Sequence, residues 1–256
     1  TDAMVGLLGT SFSIMQFIFA SFWGGLSDEY GRRPIMLISI GIMVVAYVLF
    51  ANATVLWLLF ATRLLKGFGA ANLSVAQAYI SDVVPQDQRT KAFGFIGAAF
   101  GLGFIFGPSI GGVINEYYGV SGVGYFAAVL AGLNFLMAWF YLKESLVEKS
   151  TTRDLFPNPF KDLVRFSHIP EVNALFTINF VYVLGFSMMQ ITATLLWAEH
   201  FGLSEMHIGY VFAYIGLLAV IIQGGLIGYF NSWFGERNLL VLGTLFVASG
   251  LYGMPY

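Results

Sequence analysis

Residues 3–27 contain no Asp, Glu, Lys, Arg or His, and nearly all of them are apolar or small. About 20 such residues are needed to cross a bilayer as a helix, and within lipid every backbone N–H and C=O has to be satisfied inside the segment. A run of this kind therefore has few alternatives to a membrane-spanning helix, and it is repeated down the chain. Spans are expected at about 5–27, 34–51, 55–81, 91–115, 123–142, 172–198, 208–234 and 238–256, which is an all-α membrane protein of about eight helices. Composition agrees: of 256 residues only 10% are charged, where a soluble domain carries about 25%.

The same composition excludes several classes. Net charge is −2 and the basic residues are few and scattered, so no nucleic-acid partner is expected. Cysteine is absent, which removes disulfides, thiolate nucleophiles and cysteine metal sites together. His168, His200 and His207 form no HExxH pattern and fall in or beside connecting stretches, so no metal site is read there. Without clustered His and carboxylates, a Gly-rich phosphate loop or a nucleophile constellation, neither an enzyme nor a cofactor is expected.

The loops give an orientation. Arg32 and Arg33 follow the first span, Arg89 and Lys91 the third, Lys143, Lys149, Arg153, Lys161 and Arg165 the fifth, and Arg237 the seventh. The alternate loops, around Asn52, 117–122 and 199–207, contain no Lys or Arg. All basic loops thus share one side, which the positive-inside rule makes cytoplasmic. Residue 1 then lies outside, and the chain reads as a fragment missing at least one helix before Thr1 and others after Tyr256.

Two further features organise the chain. Residues 144–170 are its one extended polar segment, a linker punctuated by Pro157, Pro159 and Pro170, and it divides a helix bundle over 1–143 from the start of a second over 171–256. Within it Asn158 and Pro159 can start a short helix with Phe160, Leu163 and Val164 on one face, lying on the leaflet, with an irregular linker as the alternative. The second feature is a repeat. Gly24-Gly25-Leu26 recurs as Gly224-Gly225-Leu226, and Gly31-Arg32-Arg33 is echoed by Gly235-Glu236-Arg237 with four extra residues between, Gly228 standing where Asp28 would be.

The first copy is the richer. Gly24 and Gly25 permit a tight turn and close helix approach, Pro34 suits the first turn of a helix, and Asp28 precedes Arg32 by four residues, within reach of an ion pair. Farther on, Arg63 and Lys66 sit inside a span, where a cation costs ~2.5–3.5 kcal/mol on insertion scales and marks a functional position by default. With Ala70, Ser74, Gln77 and Ser81 they would share one helix face turned to a cavity, the alternative being cations that snorkel to the outer interface. Gly103, Gly107 and Gly111 recur every four residues around Pro108 and leave a helix face bare enough for a neighbouring backbone.

These motifs resemble those of the major facilitator superfamily. Gly24, Leu26, Ser27, Asp28, Gly31, Arg32 and Arg33 fill its signature loop G-x-L-[AS]-D-x-x-G-R-[RK]. Arg63, Lys66, Gly67, Gly69, Ala70 and Ala71 resemble the fourth-helix pattern R-x-x-Q-G-x-G-A-A, with Lys66 in place of glutamine. Gly103, Gly107, Pro108, Gly111 and Gly112 match the G-x-x-x-G-P-x-x-G-G motif of the family's antiporters, and the loop from Asp82 to Arg89 is similar to the one that closes its cytoplasmic side. Residues 199–237 look like the seventh and eighth helices of tetracycline-type exporters.

The resemblance implies helices 2 to 9 of a twelve-helix fold, in a multi-pass protein of the plasma (inner) membrane, monomeric when complete. It implies alternating access, with Asp28, Gly31, Arg32 and Arg33 as a cytoplasmic latch, Arg63 linked to proton movement, and proton-coupled efflux of a small amphipathic compound such as a drug or tetracycline-like molecule. An uptake symporter or facilitator for a small metabolite is the nearest rival; a receptor, assembly protein or membrane enzyme is more distant. No Asp or Glu lies well inside a span to carry the proton. Polarity and position mark Gln16, Asn72, Ser74, Gln77, Asn179, Tyr182, Gln190 and Gln223 as candidates to face substrate, or equally to bond neighbouring helices.

Overall fold

The computed structural model describes residues 2–146, 164 and 168–253, and all regular structure among them is helical. Helix α1 runs Asp2–Tyr30 and α2 Arg32–Ala51, so a single residue, Gly31, separates them. The sequence reading ended this span near 27 and allowed a tight turn at Gly24 and Gly25; the helix runs through both to Tyr30. The helix continues until the Gly31 N–H bonds to the Ser27 carbonyl at 3.1 Å. Gly31 then reverses the chain with φ 114° and ψ 152°, a conformation open to glycine and strained for other residues.

Helix α3 covers Leu56–Ala70 and α4 Leu73–Val83, interrupting the third span at Ala71 and Asn72. The cause lies in neighbouring side chains. Trp23 Nε1 donates to the Phe68 carbonyl at 2.7 Å and Gln16 Nε2 to the Ala70 carbonyl at 3.4 Å. These carbonyls would otherwise serve the next helical turn. The single polar stripe expected from Arg63 to Ser81 is accordingly split in two.

Helix α5 extends over Arg89–Tyr141, 53 residues. It has more than twice the roughly 20 residues needed to cross a bilayer. It bends at Gly119, φ 65° and ψ −174°, and so supplies two spans. Helix α6 covers Pro170–Glu199 with proline in its first turn, and α7 Glu205–Ile221, where Ser204 Oγ accepts from the His207 N–H at 3.4 Å. A π-turn, Ile222–Leu226, leads into α8, Ile227–Gly253, which bends at Gly235 with φ 73° and ψ 158°. Gly31 and Gly235, matched in the sequence repeat, thus both combine a positive φ with an extended ψ. Five helical segments are long and apolar enough to cross a membrane; counting both limbs of the bent ones, the interrupted third span and Arg237–Gly250, the spans number about eight. The short helix expected near Asn158 lies outside the described residues, apart from Val164, which is helical.

The chain forms two compact units, Thr1–Phe93 with Val113–Arg165, and Gly94–Gly112 with Phe166–Tyr256. In the first, Trp23, Ile35, Ala71 and Val75 are buried, with Phe19, Phe22, Leu26 and Phe68 packed round them. The Phe68 ring sits edge-on to Phe19 at 4.7 Å and 4.9 Å from Trp23. Gly67 lets α3 approach the Phe12 carbonyl of α1, and Gly69 lets it approach Ser39 and Met43 of α2. In the second unit Gly101 of α5 and Gly216 of α7 meet backbone to backbone, and any side chain at Gly216 would collide with Ile105 and the Gly101 carbonyl. Elsewhere large apolar side chains face outward, and no residue of Val172–Met189 is buried, as expected where lipid is the solvent.

Candidate functional site

The charged centre is built on Arg32, whose guanidinium uses three nitrogens on three acceptors. Nη2 pairs with Asp28 Oδ1 at 2.6 Å, Nε with Asp82 Oδ2 at 3.1 Å, and Nη1 donates to Ser27 Oγ at 2.6 Å. Ser27 is fully buried and Arg32 only 8% exposed. A charge so placed is tolerable because it is paired and its donors are used. Removing one partner of such a buried pair typically costs about 3–5 kcal/mol.

Glu144 completes the cluster. Gly31 occupies the N-cap of α2 and has no side chain to offer, which leaves the first N–H groups of that helix without a local partner. The Glu144 carboxylate fills the role: Oε1 accepts from the Arg32 N–H at 2.9 Å and Oε2 from the Arg33 N–H at 3.2 Å. Oε1 also accepts from the N–H groups of Ser145 and Leu146, and Ser145 Oγ donates to Asp82 Oδ2 at 3.1 Å. Arg33 donates from Nη2 to the Trp139 carbonyl at 2.9 Å and stacks over the Trp139 ring. Four segments are thereby joined: the end of α1, the start of α2, the end of α4 and the stretch after α5. Arg89 is not part of the cluster. It donates to the carbonyls of Val84 at 3.2 Å and Ser81 at 2.7 Å, closing the end of α4 while Asp82 turns to Arg32.

Arg63 and Lys66 lie on α3. Lys66 Nζ is 4.3 Å from the Tyr47 ring centre and 5.5 Å from that of Phe50, and the Arg63 guanidinium is 5.9 Å from the same Phe50 ring. Cation–π contacts supply ~0.5–2 kcal/mol, less than the ~2.5–3.5 kcal/mol a cation costs at the centre of a span. Neither cation has a carboxylate partner among the described residues. Gly67, beside them, is the close approach to α1 described above.

The glycine face of α5 behaves differently from the reading of its spacing. A methyl group built on Gly103, Gly107, Gly111 or Gly112 meets nothing within 4 Å, whereas Gly101 is crowded by Val220, Ala219 and the Gly216 carbonyl. Pro108 sits within the helix. Of the polar candidates, Gln16 bonds the Ala70 carbonyl, Asn72 Nδ2 donates to Ser39 Oγ at 2.7 Å and Ser74 Oγ to the Ala20 carbonyl at 3.1 Å, all tying helices together. Gln77, Asn179 and Tyr182 are exposed. Gln190 lies on α6 and Gln223 in the π-turn, their side chains outside the described positions. Leu26 packs on the Trp23 core, and the Gly24 carbonyl accepts from Ser27 Oγ at 2.8 Å.

Sequence reasoning missed Glu144, Trp23 and the ring pair Tyr47 and Phe50. Glu144 stands 112 residues from Arg32, so no local spacing links them; the one available signal was an acid beside the basic residues of the linker.

An all-helical chain with about eight apolar spans and a charged hinge joining four of its segments is a multi-pass integral membrane protein. The model of the Major Facilitator Superfamily matches residues 1–256, and the chain belongs to that family. It is 34% identical over 253 residues to the class E tetracycline resistance protein of Escherichia coli, covering 96% of this chain and 61% of that one. Multidrug resistance protein 2 of Bacillus subtilis (strain 168) is 31% identical over 249 residues, covering 94% of this chain and 61% of its own. The crystal structure of the human organic anion transporter MFSD10 (TETRAN) superimposes with a TM-score of 0.74 at 28% identity, covering 86% of this chain and 56% of that one. The chain thus spans about three fifths of the curated relatives it matches.

Proposed function

We propose that this chain is the greater part of a secondary transporter of the plasma membrane, exporting a small amphipathic compound by alternating access in exchange for protons. The observation that carries the reading is the Arg32 cluster. A buried guanidinium shared between Asp28 and Asp82 has two acidic partners, and a rocking motion of helix bundles can trade one for the other at modest cost. The cluster lies at the cytoplasmic ends of its helices, where export must admit substrate and then shut. Drug export is favoured by the tetracycline and multidrug resistance proteins among the relatives, and a charged amphipathic cargo is compatible with the organic anion transporter.

The test is accumulation of labelled tetracycline and a panel of amphipathic drugs by everted membrane vesicles from cells producing the protein. Energy-dependent accumulation abolished by a protonophore is the expected result. Accumulation that ignores the protonophore, or none for any member of the panel, contradicts the reading.

A further inference from the structure

We propose that Arg63 and Lys66, with the rings of Tyr47 and Phe50, form a binding site in the outer half of the membrane for the acidic group of an aromatic organic anion. The proposal rests on the transport reading above for its physiological meaning, but the site itself stands on geometry.

Two cations occupy positions three apart on α3, on one face, and converge on a single ring: Arg63 at 5.9 Å and Lys66 at 5.5 Å from the centre of Phe50. Like charges at this spacing repel, so the arrangement calls for an anion between them. Among the described residues none is supplied. Helices α2 and α3 contain no Asp or Glu, and α1 carries its acids only at its two ends. Neither side chain forms an ion pair with a described residue. The rings cover part of each cation yet accept no hydrogen bond from it in the ordinary sense, which leaves the ammonium and guanidinium N–H donors for a ligand. A carboxylate fits that demand, since a guanidinium presents it a planar fork and an ammonium a point charge.

Depth follows from the register. Side chains on a helix lean toward its N-terminus, which for α3 is the outer end, and Phe50 is one residue from the outer end of α2. The cations are thus drawn to the outer half of the span. Tyr47 and Phe50 give the aromatic body of a ligand a surface beside its acid group. Lys66 stands where the pattern this chain resembles has an uncharged glutamine, so a second positive charge joins that of Arg63.

Equilibrium binding of 1-naphthoate and of its neutral analogue 1-naphthamide to the purified protein in nonionic detergent tests the site without any gradient. The wild type is expected to bind naphthoate at least about tenfold more tightly than naphthamide. Lys66→Gln is expected to erase that preference and leave naphthamide unchanged, and Lys66→Arg to preserve it. Equal affinity for acid and amide in the wild type, which involves no variant, overturns the proposal, as does a full preference in Lys66→Gln. Displacement of naphthoate by phosphatidylglycerol but not by a second aromatic carboxylate assigns the site to lipid headgroups and overturns it too. Selective naphthoate binding alongside failure of the vesicle assay would refute proton-driven export and leave this site intact.

Discussion

Glu144 Oε1 accepts a hydrogen bond from the backbone N–H of Arg32 at 2.9 Å, across 112 residues of chain. A carboxylate delivered from the stretch after α5 therefore caps the helix that follows the charged hinge, at a point where Gly31 can offer nothing. Charge and helix dipole reinforce each other there.

Replacing Glu144 by Ala removes acceptors from four backbone N–H groups and should lower the unfolding free energy by about 1–3 kcal/mol. Glu144→Gln, which keeps the shape without the charge, should recover part of it. Thermal unfolding midpoints of the purified variants in detergent measure both, and an Ala variant as stable as wild type would remove Glu144 from the cluster.

Arg32→Lys keeps the positive charge and loses the fork. An ammonium at that position cannot serve Asp28, Asp82 and Ser27 with the same fixed geometry, so a loss of about 2 kcal/mol or more is expected, with transport reduced alongside. Denaturation and vesicle uptake in parallel read the two effects.

Gly31→Ala places a Cβ at φ 114° and directly against the Glu144 carboxylate. Backbone strain alone amounts to about 1–3 kcal/mol, and the cap has to open to make room. The variant should unfold at lower temperature, and combining it with Glu144→Ala should cost less than the sum of the two, as a double-mutant cycle will show.

The two kinds of glycine on α5 and α7 should respond in opposite ways. Gly216→Val drives a side chain into Ile105 and the Gly101 carbonyl, an overpacking cost of about 1–3 kcal/mol. Gly107→Ala meets open space in a helix and should be neutral or stabilising by up to about 1 kcal/mol. Comparable losses in both would show that the Gly107 face is packed in the working protein.

Much of this was legible in the residues because lipid leaves so few options. Charge-free runs located the helices. Asp28 and Arg32 were found because their spacing of four is local. Asp82 entered only as part of a loop, since its pairing with Arg32 spans 50 residues and belongs to the packing of α4 on α1 and α2. Glu144 was illegible for the same reason. Glycines that permit a turn do not require one: Gly24 and Gly25 remain helical, and of the three glycines in this stretch it is Gly31 that takes a positive φ. The interruption at Asn72 depended on Trp23, whose indole N–H competes for a helical carbonyl from 45 residues away.

The most direct measurement is proton movement in everted vesicles loaded with a pH-sensitive dye and acidified inside by respiration. Addition of tetracycline or another accumulated drug should release protons from the wild-type vesicles. Asp28→Asn, inserted in the membrane at a normal level, should abolish most of that release, because the neutral amide cannot hold Arg32 in its 2.6 Å ion pair. Wild-type vesicles that accumulate drug without releasing protons, or an Asn variant with undiminished release, would contradict the account.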